Sequence, residues 1–180
     1  MRDWKAMKNK RMKYGIGALA AALLVAIDQV TKYLAQKYLM DGPVVIWDGV
    51  FELHYSTNTG AAFGILQDGR AFFIVITTII LAAVLYFYIK IPAQRKYFPL
   101  NAVCVTVFAG AMGNFIDRVR LEYVIDFLYI RLINFPVFNI ADCYVTLSCL
   151  AFGILIFFYY KEEDFAFVKS GKDKEQEPSQ

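Results

Sequence analysis

The stretch GNFIDRVRLEYVIDFLYIRLINFPVFNIAD, from Gly113 to Asp142, joins two long apolar runs and carries three aspartates, Asp117, Asp126 and Asp142. A carboxylate next to hydrocarbon is costly, so intramembrane acids usually serve a function. Both flanking runs are long enough to cross a membrane. The stretch therefore leads to the hypothesis that two of these aspartates form a catalytic acid/base pair at a membrane surface.

The composition is that of a membrane protein. Of the 180 residues, 58% are hydrophobic and 19% are charged, whereas soluble domains carry about 25% charged residues. The net charge of +3 is small, and the basic residues are scattered, which argues against binding of nucleic acid. The three cysteines show no CxxC spacing, and the single histidine, His54, has no cluster of ligands around it. We therefore expect no metal site and no disulfide framework.

Four apolar runs predict four membrane-spanning helices, because a span needs about 20 apolar residues. A basic start followed by the short apolar run ALAAALLVA also leaves open a cleavable signal peptide at the N-terminus. The predicted organisation is a basic arm at 1–13, one membrane domain at 14–160 with spans at about 14–36, 70–90, 100–118 and 139–160, and a charged tail at 161–180.

A different pattern lies between the first two spans. The segment VVIWDGVFELHYS is rich in β-branched and aromatic residues and predicts a small sheet at about 43–57, with a turn at Asp48-Gly49. Trp47, Phe51 and Tyr55 favour a membrane interface. Residues 119–137 are interpreted as a loop. The predicted fold class is an α-helical integral membrane protein with four transmembrane helices and a small extracytoplasmic β-sheet.

Basic residues predict the orientation, since lysines and arginines collect on the cytoplasmic side. They are concentrated in the N-terminal arm, the 90–99 loop and the C-terminal tail. Both termini are therefore expected in the cytoplasm, and the loops at 40–70 and 119–138 outside. Arg118, Arg120 and Arg131 lie on the outer side against this rule, which indicates a task such as pairing with nearby acids.

Polar residues converge near the outer ends of the predicted helices. Residues four apart share a helix face, which groups Asp28 with Lys32, and Gly110 with Asn114 and Arg118. On the same side, Asn139 and Asp142 begin the last span, and Asn58 precedes the second. Elsewhere, small residues suit close helix packing, namely Gly15, Gly17 and Gly153.

Each polar residue also has a purely structural interpretation. Asp28 and Lys32 could form a salt bridge, and Asn114 with Arg118 could be packing contacts between helices. Asp117 could pair locally with Arg118. Asn139 could cap the fourth helix, and Asn58-Thr59-Gly60 could be only a turn.

The structural interpretation is weakest for Asp126 and Asp142. Asp126 lies in the apolar run VIDFL, without a lysine or arginine at pairing distance in sequence. Two carboxylates in a low-dielectric site cannot both ionise easily, so one stays protonated while the other activates water. This is the chemistry of aspartic peptidases. A proton-coupled transporter and a structural membrane subunit are the alternatives, although the acids lie near one face and no internal repeat is visible.

Five motifs closely resemble those of bacterial lipoprotein signal peptidase, also called signal peptidase II, in that family's order and spacing. They are DQVTK (Asp28–Lys32), NTGAAFG (Asn58–Gly64), GAMGNFIDR (Gly110–Arg118), VIDF (Val124–Phe127) and FNIAD (Phe138–Asp142).

The resemblance implies a four-helix membrane aspartyl endopeptidase of the bacterial inner membrane. It would cut prolipoproteins just before a diacylglyceryl-modified cysteine, need no cofactor, and bind globomycin-type cyclic peptides. The implied catalytic pair is Asp126 and Asp142. The implied substrate-binding or supporting residues are Asn58, Gly60, Asn114, Arg118 and Asn139, and the structural polar residues are Asp28, Lys32 and Asp117. Family members often carry Ser or Thr where this chain has Cys143.

Overall fold

The computed structural model describes residues 2–60 and 69–169, in which four long helices accompany a three-stranded sheet. All four helices are long and apolar enough to cross a membrane, which confirms the predicted fold class. Their outward faces are apolar: Ile79 and Leu147 are 57% and 64% exposed, as expected of surfaces that face lipid. The helices are α1 (Arg2–Leu39), α2 (Arg70–Lys90), α3 (Phe98–Arg120) and α4 (Ile140–Ile154), with a π-helical turn at Leu155–Tyr159 and a short α5 (Ala166–Lys169).

Helix α1 is unbroken from Arg2 to Leu39. Residues 2–13 of the predicted basic arm are therefore helical and continuous with the first predicted span. Its C-terminal half contributes Asp28 and Lys32 to the protein interior, where they are 0% and 1% exposed. A helix with these buried contacts is an integral part of the fold, which argues against the signal-peptide alternative.

The sheet has one more strand than the sequence predicts. Strands β1 (Val44–Trp47), β2 (Phe51–Asn58) and β3 (Val124–Ile130) are antiparallel in the order β1-β2-β3. The segment interpreted as a loop at 119–137 thus contains β3, and the sheet extends beyond the predicted 43–57. The run Val124–Phe127 is buried, so it lacks the alternating pattern of a half-exposed strand.

Helix α3 is the central helix, with α1, α2 and α4 packed against it. Two of its glycines permit this approach. A Cβ added at Gly110 would lie 2.6 Å from the carbonyl oxygen of Ala141, and one at Gly113 would lie 2.4 Å from Oδ2 of Asp28. The close packing predicted at Gly15 and Gly153 is wrong, since a Cβ at either would meet no described atom within 4 Å.

A buried ion cluster joins α1 to α3. The ammonium of Lys32 lies 3.0 Å from Oδ2 of Asp28 and 2.9 Å from Oδ2 of Asp117. Asp117 therefore pairs with Lys32 rather than with the adjacent Arg118. Gln29 Nε2 donates to Asp117 Oδ1 at 2.9 Å.

The same two carboxylates bind the backbone of the neighbouring elements. Oδ1 of Asp28 accepts from the backbone N–H of Ala141 in α4 at 3.0 Å, and Oδ2 of Asp117 accepts from that of Ile125 in β3 at 3.2 Å. Three helices and the last strand thus meet at one charged cluster.

The charge balance of this cluster is tested by Lys32→Met. Removing the ammonium leaves two buried carboxylates without a counter-charge, and breaking a buried pair costs about 3–5 kcal/mol. We expect a loss of that size in the free energy of unfolding, measured by denaturant titration in detergent micelles. Lys37→Met, at an exposed position on the same helix, is the matched control. Equal stability of the two variants would contradict the structural importance of the cluster.

The close approach at α3 is tested by Gly113→Ala. The added methyl would overlap the Asp28 carboxylate, and overpacking of this kind costs about 1–3 kcal/mol. We expect a lower thermal unfolding midpoint in micelles. Gly153→Ala, where space is open, is expected to be neutral or stabilising because alanine favours the helix. A Gly113→Ala protein as stable as the Gly153→Ala protein would refute the argument.

Candidate active site

The two aspartates singled out in the sequence face one cavity. Asp126 lies on β3 and is 3% exposed, and Asp142 lies in the first turn of α4. The cavity has a volume of about 520 Å³. Other predicted site residues that line it are Asn58, Gly60, Asn114 and Arg118, together with Phe135, Phe138 and Cys143.

Each oxygen of the two carboxylates accepts one N–H. Oδ1 of Asp126 accepts from Asn139 Nδ2 at 2.7 Å, and its Oδ2 accepts from Asn58 Nδ2 at 3.1 Å. Oδ1 of Asp142 accepts from Asn114 Nδ2 at 2.8 Å, and its Oδ2 accepts from the backbone N–H of Asn139 at 3.0 Å. Neutral donors therefore orient both acids, and each carboxylate oxygen keeps a lone pair free for a proton or a substrate.

Asn139 combines two roles that the sequence presents as alternatives. Its side chain accepts from the backbone N–H of Asp142, and the Asp142 side chain accepts from the backbone N–H of Asn139, which together form a capping box at the start of α4. Its Nδ2 also donates to Asp126. The helix cap is thus the direct link between the two carboxylates.

The buried ion cluster determines the orientation of Asn114. Lys32 Nζ lies 2.8 Å from Oδ1 of Asn114, and an ammonium can only donate. Asn139 Nδ2 also approaches this oxygen, at 3.1 Å. With its oxygen facing two donors, the Asn114 amide must present its NH₂ group to Asp142. Lys32 therefore acts on the site through Asn114.

The surroundings of the two acids differ. Burial raises the pKa of Asp126 to about 6, and the negative charge of Asp142 adds to this rise, while hydrogen bonds from Asn58 and Asn139 oppose it. Asp142 lies instead at the N-terminal end of α4. Asp126 therefore holds its proton to a higher pH than an unperturbed aspartate does.

Arg118 supplies a positive charge in the cavity wall. Its guanidinium lies 3.5 Å from the carbonyl oxygen of Asn114 and 3.4 Å from that of Gly60, and it lies 4.9 Å from the centre of the Phe73 ring. It makes no salt bridge with an acid of the described residues. Arg118 thus contributes its charge without a direct ion pair, whereas Arg131, also expected to pair with a nearby acid, does so with Glu52.

A second cavity of about 290 Å³ lies between α2, α3 and α4. It shares Asn114, Arg118, Asp142 and Thr146 with the first. These four side chains therefore lie between two spaces, one beside the sheet and one among the helices. A bound peptide that extends from one cavity into the other would pass next to Asp142.

Several residues of the site escape sequence reasoning. Gln29 contacts both acids of the ion cluster; it lies in the DQVTK motif, but the sequence does not indicate a role for it. Phe138 closes the free edge of β3: its carbonyl accepts from the N–H of Phe127 and of Leu128, and its own N–H donates to Leu128. Nothing in the local sequence indicates this pairing.

Asn58 and Gly60 are positioned by a tight turn. Oδ1 of Asn58 accepts from the backbone N–H of Gly60 at 3.0 Å, which leaves Nδ2 free to reach Asp126. The remainder of the NTGAAFG motif, residues 61–64, lies outside the described residues. Within 2–60 and 69–169 no group of three or more His, Cys, Asp and Glu side chains could bind a metal.

Comparison with known proteins gives a consistent result. The sequence profile of one family, described as signal peptidase (SPase) II, matches residues 20–158. A lipoprotein signal peptidase of Caldanaerobacter subterraneus is 44% identical over 76% of this chain and 92% of the relative. Another, of Streptococcus pyogenes, is 37% identical over 86% of this chain and 99% of the relative.

Two solved structures, both described as a bacterial membrane enzyme determined by the in meso method, share the fold. One, at 2.3 Å resolution, has a TM-score of 0.70 and 33% identity over 92% of this chain and 95% of its own. The other, at 1.9 Å resolution, has a TM-score of 0.72 and 35% identity over 81% and 95%. The family profile covers most of the chain and both relatives exceed 30% identity, so the chain belongs to the signal peptidase II family.

Proposed function

We propose that the protein is a membrane aspartyl endopeptidase that removes the signal peptide from diacylglyceryl-modified prolipoproteins, with Asp126 and Asp142 as its catalytic pair. The observation that carries the assignment is the set of four N–H donors, one to each carboxylate oxygen, at the wall of a single cavity. Membership of the signal peptidase II family supports the substrate class and makes a transporter the less favoured alternative.

The two acids have distinct roles in this proposal. Ionised Asp142 accepts a proton from the attacking water, and protonated Asp126 donates a hydrogen bond to the scissile carbonyl oxygen. The water oxygen bonds to the carbonyl carbon to form a tetrahedral intermediate. The C–N bond then breaks, the leaving amine of the cysteine takes up a proton from the pair, and the signal peptide departs with a new carboxyl group.

Neighbouring residues assist through position and charge. Asn114 orients Asp142, and Asn58 and Asn139 orient Asp126. The guanidinium of Arg118 adds a positive charge close to the developing oxyanion, the kind of preorganised stabilisation that contributes strongly to catalysis. The two cavities give the substrate space on either side of Asp142.

The orientation follows from the distribution of charge. Lys10, Arg11 and Lys13 at the start of α1 lie at the same end of the molecule as Lys90, since Lys13 bonds the last turn of α2. The sheet and the aspartate pair lie at the other end. By the positive-inside rule the termini are cytoplasmic and the active site is at the outer face of the inner membrane.

The proposed setting also defines the other partners. The exposed apolar faces of the four helices would contact membrane lipids. Cyclic peptides of the globomycin type are expected to occupy the cavity of about 520 Å³ at the acids, and therefore to compete with the lipidated precursor.

The catalytic pair is tested by Asp126→Asn and Asp142→Asn. Loss of a general acid or base typically lowers the rate about 10²–10⁴-fold, so each variant should lose at least two orders of magnitude in kcat on a lipidated precursor. Cleavage is measured in micelles by the change in precursor mass. Asp48→Asn, in the exposed turn of the sheet, should keep parental activity. Near-parental turnover by either active-site variant would disprove the assignment.

The raised pKa of Asp126 predicts a pH-dependent stability difference. A group whose pKa is higher in the folded state stabilises the protein below its unfolded value of 3.8, and this contribution is lost as the pH rises through about 6. A pKa change of this size corresponds to about 3 kcal/mol in the free energy of unfolding. Asp126→Asn does not titrate at this position. Between pH 4 and pH 8 its free energy of unfolding should therefore rise, relative to that of the parent, by up to that amount.

Unfolding free energies of the parent and of Asp126→Asn at both pH values provide this comparison, and the constant effect of the substitution cancels in the difference. The same state of the pair predicts that cleavage declines once Asp126 loses its proton. A stability difference that is independent of pH would show that Asp126 is not the protonated member.

A further inference from the structure

We propose that the inner, cytoplasmic end of the protein carries a binding site for one anionic phospholipid, with an acyl chain between α1 and α2 and the headgroup at the basic start of α1. This site lies at the opposite end from the aspartate pair and is independent of the proposed peptidase reaction.

The first observation is an apolar gap between two helices. Helices α1 and α2 both pack extensively on α3, whereas they contact each other through few residues, among them Tyr88 of α2 against Gly17 of α1. The space between them forms a cavity of about 470 Å³. Small residues of α1 form one wall, apolar residues of α2 face them, and α3 closes the base. They include Gly17 and Ala21 of α1, Val84 and Leu85 of α2, and Val105 and Phe108 of α3.

The depth of this gap matches that of a lipid tail. Its wall on α1 extends from Tyr14 to Ala21, about 10 Å along a helix that rises about 1.5 Å per residue. This is most of one leaflet of a hydrocarbon core about 30 Å thick. In that layer the gap is open to lipid, so an acyl chain is the apolar group available to fill it.

The second observation is a polar bridge at the cytoplasmic rim of the gap, at the level of the lipid headgroups. Lys13 Nζ donates to the carbonyl oxygens of Tyr88 at 2.5 Å and of Ile91 at 2.7 Å, and the Tyr88 hydroxyl donates to the carbonyl of Lys13 at 2.8 Å. The ammonium also lies 4.4 Å from the centre of the Tyr88 ring. These contacts join α1 to α2 and close the gap towards the cytoplasm.

The third observation is uncompensated positive charge at this rim. The described side chains at the start of α1 include Lys10, Arg11 and Lys13, and Lys90 ends α2. In the part of the chain that the structure describes, none of these four cations forms a salt bridge with a carboxylate. Basic residues at a membrane surface each contribute about 1 kcal/mol to attraction of anionic lipid, so the complementary ligand carries a phosphate without a balancing cation.

The test uses the full-length protein, stripped of lipid in detergent and then titrated with phosphatidylglycerol or with phosphatidylcholine of the same acyl chains. Native mass spectrometry counts the lipids retained. We expect one phosphatidylglycerol per protein, with an affinity at least about five-fold above that for phosphatidylcholine. Equal retention of the two lipids would overturn the proposal.

Two sets of variants separate the tail from the headgroup. Ala21→Leu fills the gap and should lower retention of phosphatidylglycerol at least about five-fold, whereas Ala22→Leu, at the adjacent exposed position, should not. Lys10→Gln combined with Arg11→Gln should abolish the preference for the anionic lipid.

A thermal unfolding midpoint in micelles close to that of the parent verifies that each variant is folded. If Ala21→Leu retains as much phosphatidylglycerol as the parent, or if the charge variant keeps its preference, the site does not exist. Because lipid retention is measured without turnover, failure of this proposal leaves the peptidase assignment unaffected, and the reverse also holds.

Discussion

The rest of the structure depends on the pairing of the buried Lys32 ammonium with its acceptors. Its three acceptors are Asp28, Asp117 and Asn114, which match the three N–H groups that a lysine can donate. One positive charge offsets two negative charges, and backbone N–H groups of α4 and β3 bind the acids further. A charged group this deeply buried is tolerated only if it is fully paired. Small displacements of α1, α3 or α4 therefore cost energy, which makes this part of the structure rigid.

This rigidity reaches the aspartate pair through amides rather than through charges. Lys32 fixes Asn114, Asn114 orients Asp142, and Asn139 links Asp142 to Asp126. An amide has a donor end and an acceptor end, so it transmits direction without adding charge. The amides thus orient both carboxylates, while the charge of Lys32 is used within the ion cluster.

The sequence predicts those parts of the molecule that depend on local pattern. Four long apolar runs are sufficient to predict four spans, and the alternation around Asp48-Gly49 is sufficient to predict the first two strands. Prediction from the sequence fails where two interacting residues are distant along the chain. The sequence of the buried strand β3 predicts a loop with apolar residues, and Asp117 forms its salt bridge with Lys32 of α1 rather than with the adjacent Arg118. The Asp126–Asp142 pair was recognisable because an acid within VIDFL has no local partner and because five motifs resemble one family, whereas the bridging role of Asn139 requires the three-dimensional arrangement.

The closure of β3 by Phe138 has a consequence for selectivity. The N–H groups of Phe127 and Leu128 are taken up by Phe138, and the N–H of Ile125 by Asp117. Many peptide-binding proteins read an extended ligand by adding it as a strand to an open sheet edge. Here the strand that carries Asp126 has its outer edge occupied by the protein itself. A substrate therefore cannot be held along this edge by strand addition, and the contacts that hold it must come from side chains and from the shape of the cavity.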